Sequence, residues 1–92
     1  MNKAELTDAV AARSGLSRKD AAAVVDALLR TVEEELGAGG RVAVTGFGSF
    51  EAKRRPERPG RNPATNEAIT LPADRVPVFR PGRALRDALN ED

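Results

Sequence analysis

A short basic segment between positions 53 and 61 contains the residues best suited to binding chemistry. It carries five cations and one carboxylate: Lys53, Arg54, Arg55, Arg58, Arg61 and Glu57. Guanidinium groups bind phosphate oxygens with two parallel hydrogen bonds, and neutralising phosphates is the main source of electrostatic binding to polyanions. The spacing of these cations therefore indicates a surface that can contact a chain of phosphates.

The basic segment leads directly into Gly60-Arg61-Asn62-Pro63, the start of a tip that is rich in turn-forming residues and continues to Glu67. Pro63 can be interpreted simply as a turn former. Cations that flank a rigid apolar proline on an extended segment instead favour contact with nucleic acid. A solvated loop and binding to a polyanion other than nucleic acid are the two alternatives that the residues leave open. Within the nucleic acids, RNA is the alternative to double-stranded DNA.

Several classes of site are excluded by composition, because the chain has no cysteine and no histidine. Disulfide scaffolds, zinc fingers, cysteine or Ser–His nucleophiles and histidine-ligated metals are therefore ruled out. Carboxylates such as Asp26 and Glu51 could bind a metal, but no carboxylate pair stands out. The sequence predicts no enzyme activity, no cofactor and no metal.

A cytoplasmic protein with no membrane partner is also expected. No apolar run approaches the roughly 18 residues of a membrane-spanning helix. The first five residues, Met1 to Glu5, become polar and acidic too early for a signal peptide.

The length of 92 residues suits a single domain over residues 1–92, but the apolar side chains are small. Hydrophobic residues make up 40% of the chain, many of them alanine, and three phenylalanines are the only aromatic residues. This is a thin core for the length of the chain. A core shared between two copies, and hence a homodimer, is the first expectation.

Residues 1–40 predict a helical hairpin. Asn2 with Glu5 and Ser17 with Asp20 have the spacing of helix N-terminal caps, and apolar residues then recur at helical intervals. The hairpin also suggests a DNA-reading helix-turn-helix, but this half is net acidic, so a scaffold and dimerisation role is preferred.

Residues 41–92 are net basic and predict an antiparallel sheet followed by a short helix. Alternating residues indicate strands on both sides of Gly46-Phe47-Gly48, with a return strand near Val76 and Val78. The segment from about 53 to 75 has little core of its own and predicts a long two-stranded arm. Arg83 to Leu89 reads as the terminal helix.

Taken together, these motifs resemble the bacterial histone-like HU family, with integration host factor as a related group. The resemblance rests on Met1-Asn2-Lys3, Gly46-Phe47-Gly48-Ser49-Phe50, Gly60-Arg61-Asn62-Pro63, Pro77-Val78-Phe79 and Gly82-Arg83. It implies an α+β fold: an N-terminal helical hairpin, a three-stranded antiparallel sheet extended into a β-ribbon arm, and a short C-terminal helix, assembled as an intertwined homodimer.

The resemblance also implies a function, namely bending of double-stranded DNA by arms that lie in its minor groove. Bent, nicked or gapped DNA would be preferred, with little sequence specificity, in a nucleoid-associated protein. An integration-host-factor-like protein with preferred sites is the alternative within this class. Pro63 would be the intercalating wedge. The other implied DNA-binding residues are Lys3, Gly46, Gly48, Lys53, Arg54, Arg55, Arg58, Arg61, Asn62, Arg80, Arg83 and Arg86.

Two features depart from the family pattern. Asn66 stands at the tip where the family commonly has glycine, and asparagine tolerates the same left-handed backbone conformation. The net charge of +1 is low for this family, so we expect the arms to supply most of the binding. The resemblance further assigns Phe47, Phe50 and Phe79 to packing, not to stacking on bases.

Overall fold

The computed structural model describes residues 1–91, which form three helices and five strands. The elements in chain order are α1 (Lys3–Ser14), α2 (Arg18–Gly37), β1 (Val42–Val44), β2 (Gly48–Arg55), β3 (Arg58–Arg61), β4 (Ala68–Leu71), β5 (Asp74–Pro81) and α3 (Arg83–Leu89). They belong to two compact units, one over residues 1–34 and the other beginning at Glu35. The helices, the antiparallel sheet and the ribbon confirm the expected α+β fold.

The two long helices begin where their capping residues predict. The Asn2 side chain accepts a hydrogen bond from the Glu5 backbone N–H at 2.9 Å, and the Ser17 hydroxyl accepts one from Asp20 at 3.1 Å. Each cap satisfies a backbone donor that has no partner within the helix. At the end of α1, the Gly15 N–H donates to the Ala11 carbonyl at 3.0 Å.

The three-stranded sheet has the antiparallel order β1-β2-β5. Its longest ladder joins β2 to β5 over eight residue pairs, from Gly48 opposite Pro81 to Arg55 opposite Asp74. β1 pairs with the first part of β2, where Val42 lies opposite Phe50. The second half of β2 therefore has β5 as its only strand neighbour in the described part of the chain, and this is the base of the arm.

A tight turn at Gly46-Phe47-Gly48 joins β1 to β2 and holds the aromatic residues together. Gly46 has φ of 86°, a left-handed conformation that glycine adopts without steric penalty. The ring centroid of Phe79 lies 5.4 Å from that of Phe47 and 4.8 Å from that of Phe50, both tilted. The expected packing role of the three rings is consistent with this cluster, although Phe47 and Phe79 remain 46% and 39% exposed.

The arm continues beyond the β2–β5 ladder as a second two-stranded sheet, in which β3 pairs with β4. Arg58 lies opposite Leu71 and Arg61 opposite Ala68, which continues the register of the first ladder. Between the ladders, the two chain segments contain Pro56 and Pro72. Because proline has no N–H to donate, these residues explain the interruption of the ribbon.

Burial within the described chain is sparse. The buried residues are Thr7, Ala21 and Val25, all in the helical hairpin, whereas Leu28 is 61% exposed. This agrees with the thin core expected from composition. None of the helices in residues 1–91 is long and apolar enough to cross a membrane.

Gly48 offers a test of the packing between the turn and β5. A Cβ added at Gly48 would lie 2.6 Å from the Arg80 carbonyl oxygen and 2.7 Å from the Phe79 ring. We expect Gly48→Ala to destabilise the protein by about 1–3 kcal/mol, because backbone and ring must move. Thermal unfolding followed by circular dichroism at fixed protein concentration measures the change.

Gly37→Ala is the matched control, since a Cβ there meets nothing within 4 Å. The control should leave stability unchanged or raise it by up to about 1 kcal/mol. Equal unfolding temperatures for the two variants would show that the close packing at Gly48 carries no stability.

Candidate nucleic-acid interface

The base of the arm presents cations on both of its faces. Side chains alternate along a strand, so Lys53 and Arg55 share one face of β2 and Arg54 lies on the other. Lys53 and Arg54 are exposed. Arg54 lies directly opposite Arg75 of β5, so two like charges are neighbours on that face. Such a pair is repulsive unless an anion lies nearby.

A single carboxylate, Asp74, is shared by two arginines of the arm. It accepts two hydrogen bonds from Arg55, from Nε at 2.9 Å and from Nη2 at 2.6 Å. The Arg58 Nη1 atom lies 3.8 Å from Asp74 Oδ1, and this nitrogen is buried without a hydrogen-bond partner in the described structure. Two of the cations predicted to contact phosphate are thus already neutralised in part within the arm.

The pKa values of this group reflect the pairing. The hydrogen bond from Arg55 lowers the pKa of the Asp74 carboxyl, partial desolvation opposes this, and the charges of Arg55 and Arg58 lower the pKa further. The hydrogen bond to Asp74 likewise raises the pKa of Arg55. Asp74 is therefore ionised at neutral pH, and both arginines lie beside a negative charge.

The tip of the arm is a closed turn stabilised by Asn62. Its backbone N–H donates to the Glu67 carbonyl at 2.9 Å, and its side chain accepts from the Ala64 N–H at 2.9 Å. Asn66 has φ of 59°, the left-handed conformation expected at this position. Asn62 thus shapes the turn, and Pro63 lies exposed next to it.

Arg61 is oriented by the same turn. Its Nη1 donates to the Asn66 carbonyl at 3.0 Å, and no carboxylate pairs with it among residues 1–91. The guanidinium group therefore keeps its positive charge uncompensated close to Pro63. Of the residues predicted at the tip, the structure brings Arg61, Asn62 and Pro63 together.

Three of the predicted cations outside the arm have carboxylate partners. Lys3 pairs with Asp26 at 2.6 Å within the helical hairpin, and Arg83 pairs with Asp87 of α3 at 3.6 Å. Arg80 pairs with Glu51 diagonally across the β2–β5 ladder. Arg86 has no carboxylate within 4.0 Å in the described part of the chain.

The two carboxylates that pair most closely with these cations titrate below their usual range. The hydrogen bond from Lys3, followed by its charge, lowers the pKa of Asp26. The hydrogen bond from Arg80, followed by its charge, lowers the pKa of Glu51. The Lys3–Asp26 pair is exposed on both sides, and in the second pair Arg80 is exposed whereas Glu51 is half-buried, so solvent screens both pairs and each contributes little to stability.

The two predicted glycines occupy different environments. Gly46 is exposed in the turn, where its backbone amide can face solvent. Gly48 is half-buried, between β1 and β5. Contact between their backbone amides and phosphate stays a prediction for both.

Comparison with known proteins shows the family to which the chain belongs. A family model described as bacterial DNA-binding protein matches residues 1–90. The chain belongs to this family. It is 52% identical over 89 residues to the DNA-binding protein HU of Geobacillus stearothermophilus, covering 97% of this chain and 99% of that protein.

Other members extend the comparison to solved structures. The DNA-binding protein HU of Thermus thermophilus is 48% identical over 91 residues, 99% of this chain and 94% of that protein. The Anabaena HU–DNA cocrystal structure superposes with a TM-score of 0.93 at 46% identity and covers 100% of both chains. HU from Thermotoga maritima gives a TM-score of 0.68 at 34% identity, over 97% and 98% of the two chains. The resemblance to the HU family is confirmed.

The sequence interpretation missed two residues next to the site. Asp74 was not identified as a partner of Arg55. The two strands of the arm keep one register from the tip to the base, and this register places Asp74 directly opposite Arg55. Arg75 was also missed. Its guanidinium group donates to the carbonyls of Leu36 at 3.5 Å and Gly37 at 3.2 Å, which are among the last acceptors of α2.

Proposed function

We propose that this protein is a histone-like, non-enzymatic DNA-binding protein that binds double-stranded DNA with little sequence specificity and bends it. The observation that carries the proposal is the two-stranded arm, which has cations along its length and an exposed proline at its tip. Family membership supports the same conclusion. The name of the Anabaena HU–DNA structure supports DNA as the ligand.

The shape and charge of the arm support its placement in the minor groove. A two-stranded ribbon is narrow, and its arginines can approach phosphates on either side of the groove. Pro63 is exposed at the extreme end of the ribbon. In this role Pro63 enters between two base pairs and opens the step, which kinks the duplex. Arg61 and Asn62 then lie close to the opened step.

Bending makes the remaining contacts possible. Unstacking one base step costs a few kcal/mol, and bending the flanking duplex costs more. Phosphate contacts along the bent path offset this cost. We assign these contacts to Lys53, Arg54, Arg55 and Arg58 of the arm and to Lys3, Arg80, Arg83 and Arg86 elsewhere, with the backbone amides of Gly46 and Gly48. Such contacts position DNA without reading bases, so we expect weak sequence specificity. A protein that binds DNA in this way would be associated with the nucleoid.

We further propose that two copies form the functional unit, with residues 1–40 as the dimerisation half. The support is the exposure of large apolar side chains in the isolated chain, where Val24 and Leu28 of α2 are more than half exposed. Exposed apolar area of this kind is typical of an interface. A homodimer also provides two arms, so one duplex is held at two points.

The function is tested by a salt titration of binding to an intact duplex and to a nicked duplex of matched sequence. We expect tighter binding to the nicked duplex, because its bending cost is smaller. The slope of log K against log salt should be steep, at about −0.9 for each phosphate neutralised. Fluorescence anisotropy of labelled DNA gives both quantities.

Other outcomes of this titration would contradict the proposed function and indicate a different one. Equal affinity for both duplexes would indicate a general polyanion binder, especially if structured RNA competed equally. Discrimination above about 10³ between duplex sequences would indicate a protein with preferred sites. Absence of binding at low salt would exclude the DNA-binding function.

Pro63→Ala tests the wedge. We expect a smaller bend in intact duplex DNA and a shorter lifetime of the bent complex, whereas weak electrostatic binding is largely retained. Energy transfer between dyes at the two duplex ends measures the bend. Pro59→Ala, the same substitution in β3 away from the tip, should bend DNA like the unmodified protein. An unchanged bend with Pro63→Ala would remove Pro63 from this role.

The assembly is tested by sedimentation equilibrium. We expect a mass of twice the 9.8 kDa chain. Leu28→Glu should weaken the association and lower the unfolding temperature, because a buried unpaired charge is costly. A folded species that sediments as a single chain at all concentrations would contradict the homodimer.

A further inference from the structure

Asp74 occupies an unusual position for an acid, at the centre of the surface that we assign to phosphate binding. It lies directly opposite Arg55 in the β2–β5 ladder, at the last pair before the ribbon is interrupted. Across the interruption, Arg58 at the start of β3 lies within 3.8 Å of the same carboxylate. One acid therefore contacts cations on both segments of the arm.

The contact with Arg55 uses the atoms that a phosphate would use. Asp74 accepts from both Nε and Nη2, which together form one edge of the guanidinium fork. Carboxylate and phosphate bind this edge in the same bidentate geometry, so they exclude each other there. Arg55 cannot offer that edge to DNA while Asp74 holds it.

The contact with Arg58 is weaker and leaves a donor unused. Arg58 Nη1 makes no hydrogen bond in the described structure, although it lies beside the Asp74 charge. The side chains of Arg55 and Asp74 are each 42% exposed, so an incoming phosphate can reach them. An exposed ion pair is weak, and a phosphate can displace it.

We propose that Asp74 is an internal competitor of DNA phosphate, which limits the affinity of the arm by occupying Arg55 and Arg58 until DNA displaces it. The inference rests on the proposed DNA-binding function and specifies how its strength is set. A competitor of this kind weakens contacts with single stray phosphates. A duplex that offers several phosphates along the arm still displaces it.

Asp74→Asn tests the competition, because it removes the charge and keeps the size and exposure of the side chain. We expect about threefold to fivefold tighter binding to nicked duplex DNA at low salt, the scale of one exposed ion pair. The salt dependence should also become steeper by about one phosphate equivalent. Anisotropy titrations over a series of salt concentrations measure both, with circular dichroism to verify the fold.

Glu57→Gln is the matched control for charge. Glu57 is an exposed acid in the same arm, next to Arg58, and it pairs with no cation within 4.0 Å in residues 1–91. The Glu57→Gln substitution removes one negative charge without releasing an arginine. The control should therefore tighten binding less than Asp74→Asn does.

A second background isolates the mechanism. When Arg55→Gln and Arg58→Gln are both present, Asp74→Asn should change binding no more than Glu57→Gln does in the same background. If the extra gain in DNA affinity from Asp74→Asn is lost in this background, Asp74 acts through the two arginines. Persistence of the full gain would overturn the inference, because the effect would then be one of general charge.

The remaining results separate this inference from the proposed function. If the unmodified protein binds DNA but Asp74→Asn binds equally or more weakly, Asp74 does not compete with phosphate, and the inference fails alone. Equal gains from Asp74→Asn and Glu57→Gln would overturn it in the same way. If the unmodified protein binds neither duplex at low salt, the proposed function and this inference fail together.

Discussion

The antiparallel ladder between β2 and β5 is the constraint on which the rest of the second unit depends. One register runs from Gly48 opposite Pro81 to Arg55 opposite Asp74, and it positions different groups at its two ends. Near one end it packs the Phe50 ring against the Phe79 ring. At the other end it directs the basic arm away from the sheet. A slip of one residue would turn every side chain to the opposite face and separate both sets of partners.

Prolines divide the arm without altering its register. The β3–β4 ladder continues the register of the β2–β5 ladder. Pro56 and Pro72 lie between the two ladders and interrupt the hydrogen bonding there. A short isolated hairpin is only marginally stable in water. The distal segment is therefore stabilised mainly by its own β3–β4 ladder and by the hydrogen bonds of its tip turn. A partner that contacts both strands would stabilise this segment further.

Local sequence patterns predicted most of the helices and strands. They did not predict which side chains pair across the strands. The caps at Asn2 and Ser17 are encoded within four residues, and both were anticipated. The partner of Arg55 lies 19 residues away, and Arg75 reaches a carbonyl 39 residues away. Such contacts require the exact register, and composition gives only the number of charges. The sequence therefore predicted a set of cations on the arm, but it did not predict that Asp74 pairs with Arg55.

The ion pairs determine where the positive charge of this chain is available, which the net charge of +1 does not show. An even mixture of 15 basic and 14 acidic residues would leave little field anywhere. Instead, carboxylates engage Lys3, Arg55, Arg80 and Arg83, while Lys53, Arg54 and Arg61 have no such partner in residues 1–91. Unpaired cations thus remain at the base of the arm and beside Pro63. Because exposed charges are screened within about 10 Å at ordinary salt, this local excess governs what the arm attracts, and the net charge of the chain has little influence there.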